Sequence, residues 1–195
     1  DEWILQRTGI RERHIADPGM ATSDLATMAG REAIKRAGLT PDDIDVIIVG
    51  TVTPDMLFPS TACLVQAKLG ASKAWGFDLS AACSAFTYAL TVGNTIVASG
   101  GATHALVIGA DVMSSIIDYT DRTTCILFGD GGGAAVVSVA GPDEPAIIDR
   151  LLISIPIISS LCERFLASST WPIVSTGCLC QSLISSPRSS LQNWD

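Results

Sequence analysis

The chain has 195 residues, 48% of them apolar, and a formal net charge of −8. That length can bury a sizeable core in one domain, and the composition excludes an intrinsically disordered chain. The acidic balance argues against nucleic-acid binding, which needs a basic face, and there is neither a run of 18 apolar residues for a membrane span nor a charged leader followed by an apolar core.

The expectation is therefore a soluble, cytoplasmic protein of a reducing compartment, with no nucleic acid or membrane as partner. Its six cysteines fit that reading. Cys63 and Cys125 lie inside apolar patterns, no pair before residue 150 has metal-ligand spacing, and Cys178 and Cys180 are too close together for a zinc site.

In chain order, Asp1 to Ile15 has little periodicity and reads as a loop or edge segment. Thr22 or Ser23 can cap a helix whose apolar face is Leu25, Met28, Ala29, Ala33, Ile34 and Ala37, with Gly38 just past its end. Thr40-Pro41-Asp42-Asp43 signals a short helical turn, with proline at its first position and acids in its first turn. The unbroken apolar run Val46 to Gly50 predicts a strand buried on both faces, hence a parallel sheet between helices.

After a loop to Pro59, Ser60 caps a helix that ends at Gly70. Ala74 to Leu79 predicts a strand leading into a long apolar helix ended near Gly100 and Gly101, and His104 to Gly109 predicts the next strand. Past an irregular segment from Asp111 to Thr124, two apolar runs, Cys125 to Phe128 and Ala134 to Ala140, read as a hairpin joined by Gly129-Asp130-Gly131-Gly132-Gly133. The whole predicts a layered α/β sheet. Residues 151 to 195 carry 11 serines and a single glycine, Gly177, and no periodicity holds there, so a tail without a core of its own is expected.

Two stretches could carry chemistry. Cys83 falls where the strand Ala74 to Leu79 turns into a helix, and its small neighbours Ala81, Ala82, Ser84 and Ala85 leave room for a substrate. Unpaired amides and the helix dipole favour a thiolate at such a turn, so Cys83 is a candidate nucleophile, and the competing reading is a buried structural cysteine. The run Gly129 to Ala134 formally fits a relaxed dinucleotide fingerprint, but that motif needs a helix directly after the glycines. Here the β-branched Val136, Val137 and Val139 predict a strand, so a tight turn that lets backbone approach a site is the better reading.

Whole motifs resemble one family. Asp1-Glu2-Trp3-Ile4, Arg7-Thr8-Gly9-Ile10-Arg11-Glu12-Arg13-His14, Phe58-Pro59-Ser60-Thr61-Ala62-Cys63, the run Ala81 to Leu90, Thr120-Asp121-Arg122 and the run Phe128 to Ala134 are, in that order, similar to those of β-ketoacyl-ACP synthase III, a thiolase-fold acyltransferase that starts fatty-acid synthesis. The resemblance implies a three-layer α/β half-fold, a mixed sheet between helix layers, over residues 1 to 149, with residues 150 to 195 outside the family pattern. It implies that Cys83 takes an acyl group from acyl-CoA as a thioester and passes it to the carbanion of decarboxylating malonyl-ACP. Trp3 and Arg122 would hold the CoA adenine, Arg7 would contact the CoA phosphates, and Phe58 would reach across a homodimer to line the partner's acyl pocket. Without the resemblance, Phe58 reads as an ordinary buried loop anchor.

Acyl-CoA and acyl carrier protein are the implied partners, with no cofactor or metal, in the cytoplasm or a plastid. Family members also carry a leading strand before the first motif and a second domain that supplies a catalytic His and Asn. Neither has a counterpart in this sequence, and neither His14 nor His104 matches that histidine. The expectation is an acylatable Cys83 without condensation, in a chain prone to self-association. The alternatives are an inactive remnant that binds CoA or pairs with other subunits, and another thiolase-fold enzyme of chalcone-synthase or HMG-CoA-synthase type.

Overall fold

A computed structural model describes residues 2–141, together with residues 147 and 152. The expectations for the tail, Cys178 and Cys180 among them, lie outside the described residues. Helices α1 (Glu2–Thr8) and α2 (Thr22–Arg36) come first, followed by strand β1 (Val46–Gly50), helix α3 (Thr61–Leu69), strand β2 (Trp75–Leu79) and helix α4 (Ala85–Ala98). Strands β3 (His104–Val112) and β4 (Asp130–Ser138) complete one sheet in the order β2-β1-β3-β4.

β2, β1 and β3 run parallel, with Val46 level with both Trp75 and Ala105. β4 returns antiparallel along β3, from Asp130 opposite Val112 to Ser138 opposite His104. Every residue of β1 is buried because helices cover both faces of the sheet. Ile47 and Val49 point to one side with Leu106 and Ile108, against Ala26 and Ile34 of α2 and Val65 and Leu69 of α3. Val46 and Ile48 point to the other with Ala105 and Val107, against Ala89 and Val97 of α4. Each fully buried Ile, Leu or Val contributes about 1.5–3 kcal/mol relative to an exposed one, so this alternation fixes β1 as the centre of a three-layer sandwich.

Several end signals act as read from sequence. Thr40 caps the short turn Pro41–Asp43, and Ser60 caps α3 through Cys63 N–H. Gly38 (φ +71°) and Gly70 (φ +77°) take the left-handed conformation that closes α2 and α3.

Other expectations change. The stretch read as a loop at the start contains α1, stabilised by a Gln6 to Glu2 side-chain bond of 3.2 Å, burial of Ile4 and Glu2 in its first turn. α2 is capped from Ala21, whose N–H donates to Asp24 Oδ2 at 3.0 Å, because the hydroxyls of Thr22 and Ser23 are drawn to tertiary partners. Its buried face runs through Ser23, Ala26, Thr27, Gly30 and Ile34, leaving Met28 and Ala37 exposed, since small residues let the helix lie close on β3 and β4. β3 extends to Val112, past the point where an irregular segment was expected.

The expected strand Cys125 to Phe128 does not form. Its backbone groups are committed elsewhere: Cys125 N–H donates to Asp121 O, Leu127 N–H to Thr124 O, and Ile126 O accepts from Arg13. The glycines then enter β4 itself instead of forming a hairpin tip. The close approach foreseen there is to α2, since a Cβ on Gly132 would lie 3.2 Å from Leu25 O.

Candidate functional site

β1, β2 and β3 all end on one side of the sheet, which is where the crevice of an open parallel sheet accepts ligands. β2 ends at Leu79. Ala82 follows with φ +47°, the one non-glycine residue at positive φ among the described residues, and starts a 3-10 turn, Ala82–Ser84, that feeds α4. Cys83 sits in that turn and is exposed, which rejects the reading of a buried structural cysteine. A strained backbone held at such a turn marks a position the surrounding packing over-determines.

That packing comes from β1. A Cβ built on Gly50 would lie 2.8 Å from the Ala85 carbonyl carbon and 2.9 Å from Ala85 Cβ, so only glycine lets α4 begin where it does. Ala85 and Ala89 are buried beneath Cys83, and Thr51 N–H donates to Leu79 O at 3.2 Å, tying the exits of β1 and β2 together.

The loop after β1 is held by Asp111, near the end of β3. Its Oδ1 accepts from Thr51 Oγ1 at 2.8 Å, Val52 N–H at 2.8 Å, Thr53 N–H at 3.1 Å and Thr53 Oγ1 at 3.0 Å. Thr53 Oγ1 also accepts from Val112 N–H at 2.9 Å. Sequence reasoning gave Asp111 no role; an acid closing an apolar strand, with two threonines after the neighbouring strand, is the pattern that could have found it. Further along, Asp55 takes the N–H and hydroxyl of Ser23, and Lys68 donates to Ser23 Oγ and Asp24 Oδ1, both at 2.6 Å. The loop thus fixed presents Leu57 and Phe58, 100% and 87% exposed, beyond the strand ends. Phe58 is no buried anchor.

Asp78 performs the same service on β2, its carboxylate accepting from Thr61 N–H at 2.7 Å and Ala62 N–H at 2.8 Å at the start of α3. Cys63, expected inside an apolar pattern, is exposed in the first turn of α3 with its sulfur 3.2 Å from Ser60 Oγ. Exposure therefore separates Cys83 from the half-buried Cys125, but not from Cys63.

Trp3 lies on α1, 56% exposed as a residue, and the Arg7 guanidinium carbon sits 4.7 Å from its ring centroid, one helical turn away. Such a pair contributes about 0.5–1 kcal/mol at an exposed site. Arg122 is exposed at the start of the turn 122–127, whose entry is fixed by Asp121 accepting from Thr123 N–H at 2.9 Å.

His104 begins β3, with Nδ1 2.7 Å from Ser138 Oγ. It stands level with the start of β1, at the end of the sheet opposite Cys83, at least about 13 Å away along a five-residue strand. His14 serves through its carbonyl, which accepts from Asp130 N–H at 2.8 Å. Among the described residues no group of three or more His, Cys, Asp and Glu is placed to hold a metal, and no helix is long and apolar enough to cross a membrane.

Several carboxylates are held below their ordinary range by hydrogen bonds, and two of them tie separate segments of the fold together. Backbone N–H groups of His104 and Thr103 hold the Asp45 carboxyl below the usual carboxylate range. Partial burial pushes Asp130 up, but hydrogen bonds from Ala16 N–H and from the hydroxyl and N–H of Ser114 outweigh it, and its pKa is lowered.

Residues 77–154 match the family model for 3-oxoacyl-[acyl-carrier-protein (ACP)] synthase III. The chain is 62% identical over 153 residues to a β-ketoacyl-[acyl-carrier-protein] synthase III of Solibacter usitatus, covering 77% of this chain and 46% of that protein. A protein of the same name from Chlorobaculum tepidum is 54% identical over 155 residues, covering 79% of this chain and 47% of the other. The crystal structure of 3-oxoacyl-[acyl-carrier-protein] synthase III from Aquifex aeolicus superposes with a TM-score of 0.69 at 51% identity, over 72% of this chain and 45% of that one. The mixed sheet between helix layers is the thiolase-like fold of these structures. The chain spans about half the length of the relatives it matches.

Proposed function

This chain carries a segment of the β-ketoacyl-ACP synthase III kind, and on that premise we propose that it supplies the acyl-accepting part of a condensing enzyme. One observation carries the reading: the exposed Cys83 thiol on the strained turn between β2 and α4, at the carboxyl ends of three parallel strands. Attack of the Cys83 thiolate on the thioester carbon of acyl-CoA forms a carbon–sulfur bond to Cys83 and breaks the one to CoA, which leaves as its thiolate and takes up a proton. CoA is held by Trp3 and Arg122 on the two faces of its adenine and by Arg7 at its phosphates. An indole and two guanidiniums suit that task, because both stack on planar bases and Arg forks onto phosphate oxygens.

The acyl-Cys83 then meets malonyl-ACP. Loss of CO₂ leaves an enolate whose carbon attacks the Cys83 thioester, releasing 3-oxoacyl-ACP and the free thiol. Negative charge gathers on the malonyl thioester oxygen in that step, and each positioned donor to it is worth roughly 10²–10³ in rate. Among the described residues neither histidine is placed to serve. His104 is at the far end of the sheet, and His14 is engaged along β4 through its backbone. No cofactor enters either step.

β2 is an edge strand among the described residues, and Leu57 and Phe58 are exposed on the loop leading into α3, whose first N–H groups Asp78 of β2 holds. An open edge next to exposed apolar side chains supports pairing between two copies of the chain, with Phe58 entering the partner's acyl pocket. The test is incubation of the 195-residue protein with acetyl-CoA and peptide-level mass spectrometry. Acetyl on Cys83, absent in Cys83→Ser and retained in Cys63→Ser, is expected, with no acetoacetyl product when malonyl-ACP is added. Acetylation spread evenly over Cys63, Cys83 and Cys125 would overturn the reading.

A further inference from the structure

The two elements that would grip CoA, α1 with Trp3 and Arg7 and the turn with Arg122, are more than a hundred residues apart in sequence. One seam joins them. The Arg13 guanidinium donates from Nε at 2.9 Å and from Nη2 at 2.5 Å to Ile126 O, inside the 122–127 turn. Asp130 N–H donates to His14 O at 2.8 Å, and its carboxylate accepts from Ala16 N–H at 2.8 Å, Ser114 N–H at 2.7 Å and Ser114 Oγ at 2.6 Å. Gly129 closes the seam, since a Cβ there would lie 3.0 Å from His14 O and 3.3 Å from His14 N.

Resting on the reading of Trp3, Arg7 and Arg122 as the CoA grip, we propose that Arg13 and Asp130 are its positioning residues: they touch no ligand and set the distance between the two halves. Residues 114 and 130 bracket the segment that bears Arg122, and Asp130 pins both of its ends while also holding the strap, residues 13–16, that descends from α1. Arg13 fixes the middle. A charged fork on one carbonyl is a strong, directional bond, so this contact sets orientation as well as separation. Other charged residues lie close in sequence: Arg11 and Glu12 directly precede the strap, and Asp118 and Asp121 lie on the bracketed segment with their carboxylates turned to Thr120 and Thr123.

The experiment measures the affinity of the 195-residue protein for free CoA by calorimetry, beside the rate at which iodoacetamide alkylates Cys83. Arg13→Met and Asp130→Asn should each weaken CoA by about tenfold, the scale of a residue acting through a packed network, and leave Cys83 alkylation unchanged. Acting through Arg122, Arg13→Met should lose most of its effect in an Arg122→Met background, a coupling that a general loss of stability would not produce. Should Arg13→Met lack a cooperative melt, Gly129→Ala, which presses on the same seam through His14, is read in its place. Wild-type affinity in Arg13→Met and Asp130→Asn, or losses that simply add to that of Arg122→Met, would overturn the proposal alone. Absence of CoA binding by the wild type, or wild-type affinity in both Trp3→Ala and Arg122→Met, would overturn the CoA grip and the proposal with it.

Discussion

Replacing Gly50 with alanine puts one methyl group between the end of β1 and the start of α4. Its nearest neighbour would be the Ala85 carbonyl carbon at 2.8 Å, where ordinary contact begins at 3.4 Å, so strand and helix must part by roughly 0.6 Å. The next neighbours, Ala85 Cβ at 2.9 Å and Ala85 O at 3.1 Å, are also rigid, so no side-chain rotation relieves the clash. Overpacking of this kind costs about 1–3 kcal/mol. Because Ala85 lies two residues past Cys83, the displacement acts on the turn that carries the thiol.

Gly131→Ala is the matched control: the same methyl on β4 meets nothing within 4 Å. Its effect should lie near zero or be stabilising by less than about 1 kcal/mol, since alanine has fewer unfolded conformations than glycine. Urea unfolding at constant m gives both stabilities, and iodoacetamide kinetics with peptide mapping gives the rate at Cys83 against Cys63 as internal reference. A lower midpoint together with a changed Cys83 to Cys63 ratio is expected for Gly50→Ala only. Gly50→Ala with the stability and reactivity ratio of Gly131→Ala would refute the claim that this glycine seats the turn bearing Cys83.

Asp111→Ala leaves two hydroxyls and two N–H groups of the 51–53 loop without their shared acceptor and should cost about 3 kcal/mol in urea unfolding, with Asp111→Asn intermediate; a loss below about 1 kcal/mol would show the loop to be held by other means. Asp45 and Asp130 have folded pKa values below the unfolded carboxylate value near 3.8, so the stability they add is complete above that pH and is lost as pH falls through the lower folded values. Melting temperature should therefore fall as the medium is acidified below about pH 4, and less steeply in Asp45→Asn than in the parent, as followed by circular dichroism across that range. Joint replacement of Leu57 and Phe58 by serine should shift sedimentation toward the monomer and leave the melt unchanged at dilutions where the parent is itself monomeric, because both side chains are already in solvent within one copy.

Much of this protein can be read without coordinates, for a local reason. β1 betrays itself as five apolar residues that can only be buried on both sides, and the ends of α3 are written in Ser60 and Gly70. Each such signal spans one or two turns of chain and depends on nothing distant. Cys83 is legible in the same way, as a cysteine among small residues where a strand pattern becomes a helix pattern. The failures share the opposite cause. Cys125 to Phe128 looks like a strand until Arg13, on a strap far earlier in sequence, takes the Ile126 carbonyl. Thr22 looks like a cap until its hydroxyl finds Thr53 O across the fold. Asp111 looks like a loop acid until the parallel pairing of β1 and β3 sets it under Thr51 and Thr53. Local chemistry determined most of the helices and strands from α2 to β3, though not α1 or the 122–127 turn. Only tertiary structure, by choosing partners for polar groups that local structure leaves unpaired, decided how the loops at the strand ends are held and tied residues 13–16 to the segment between Ser114 and Asp130.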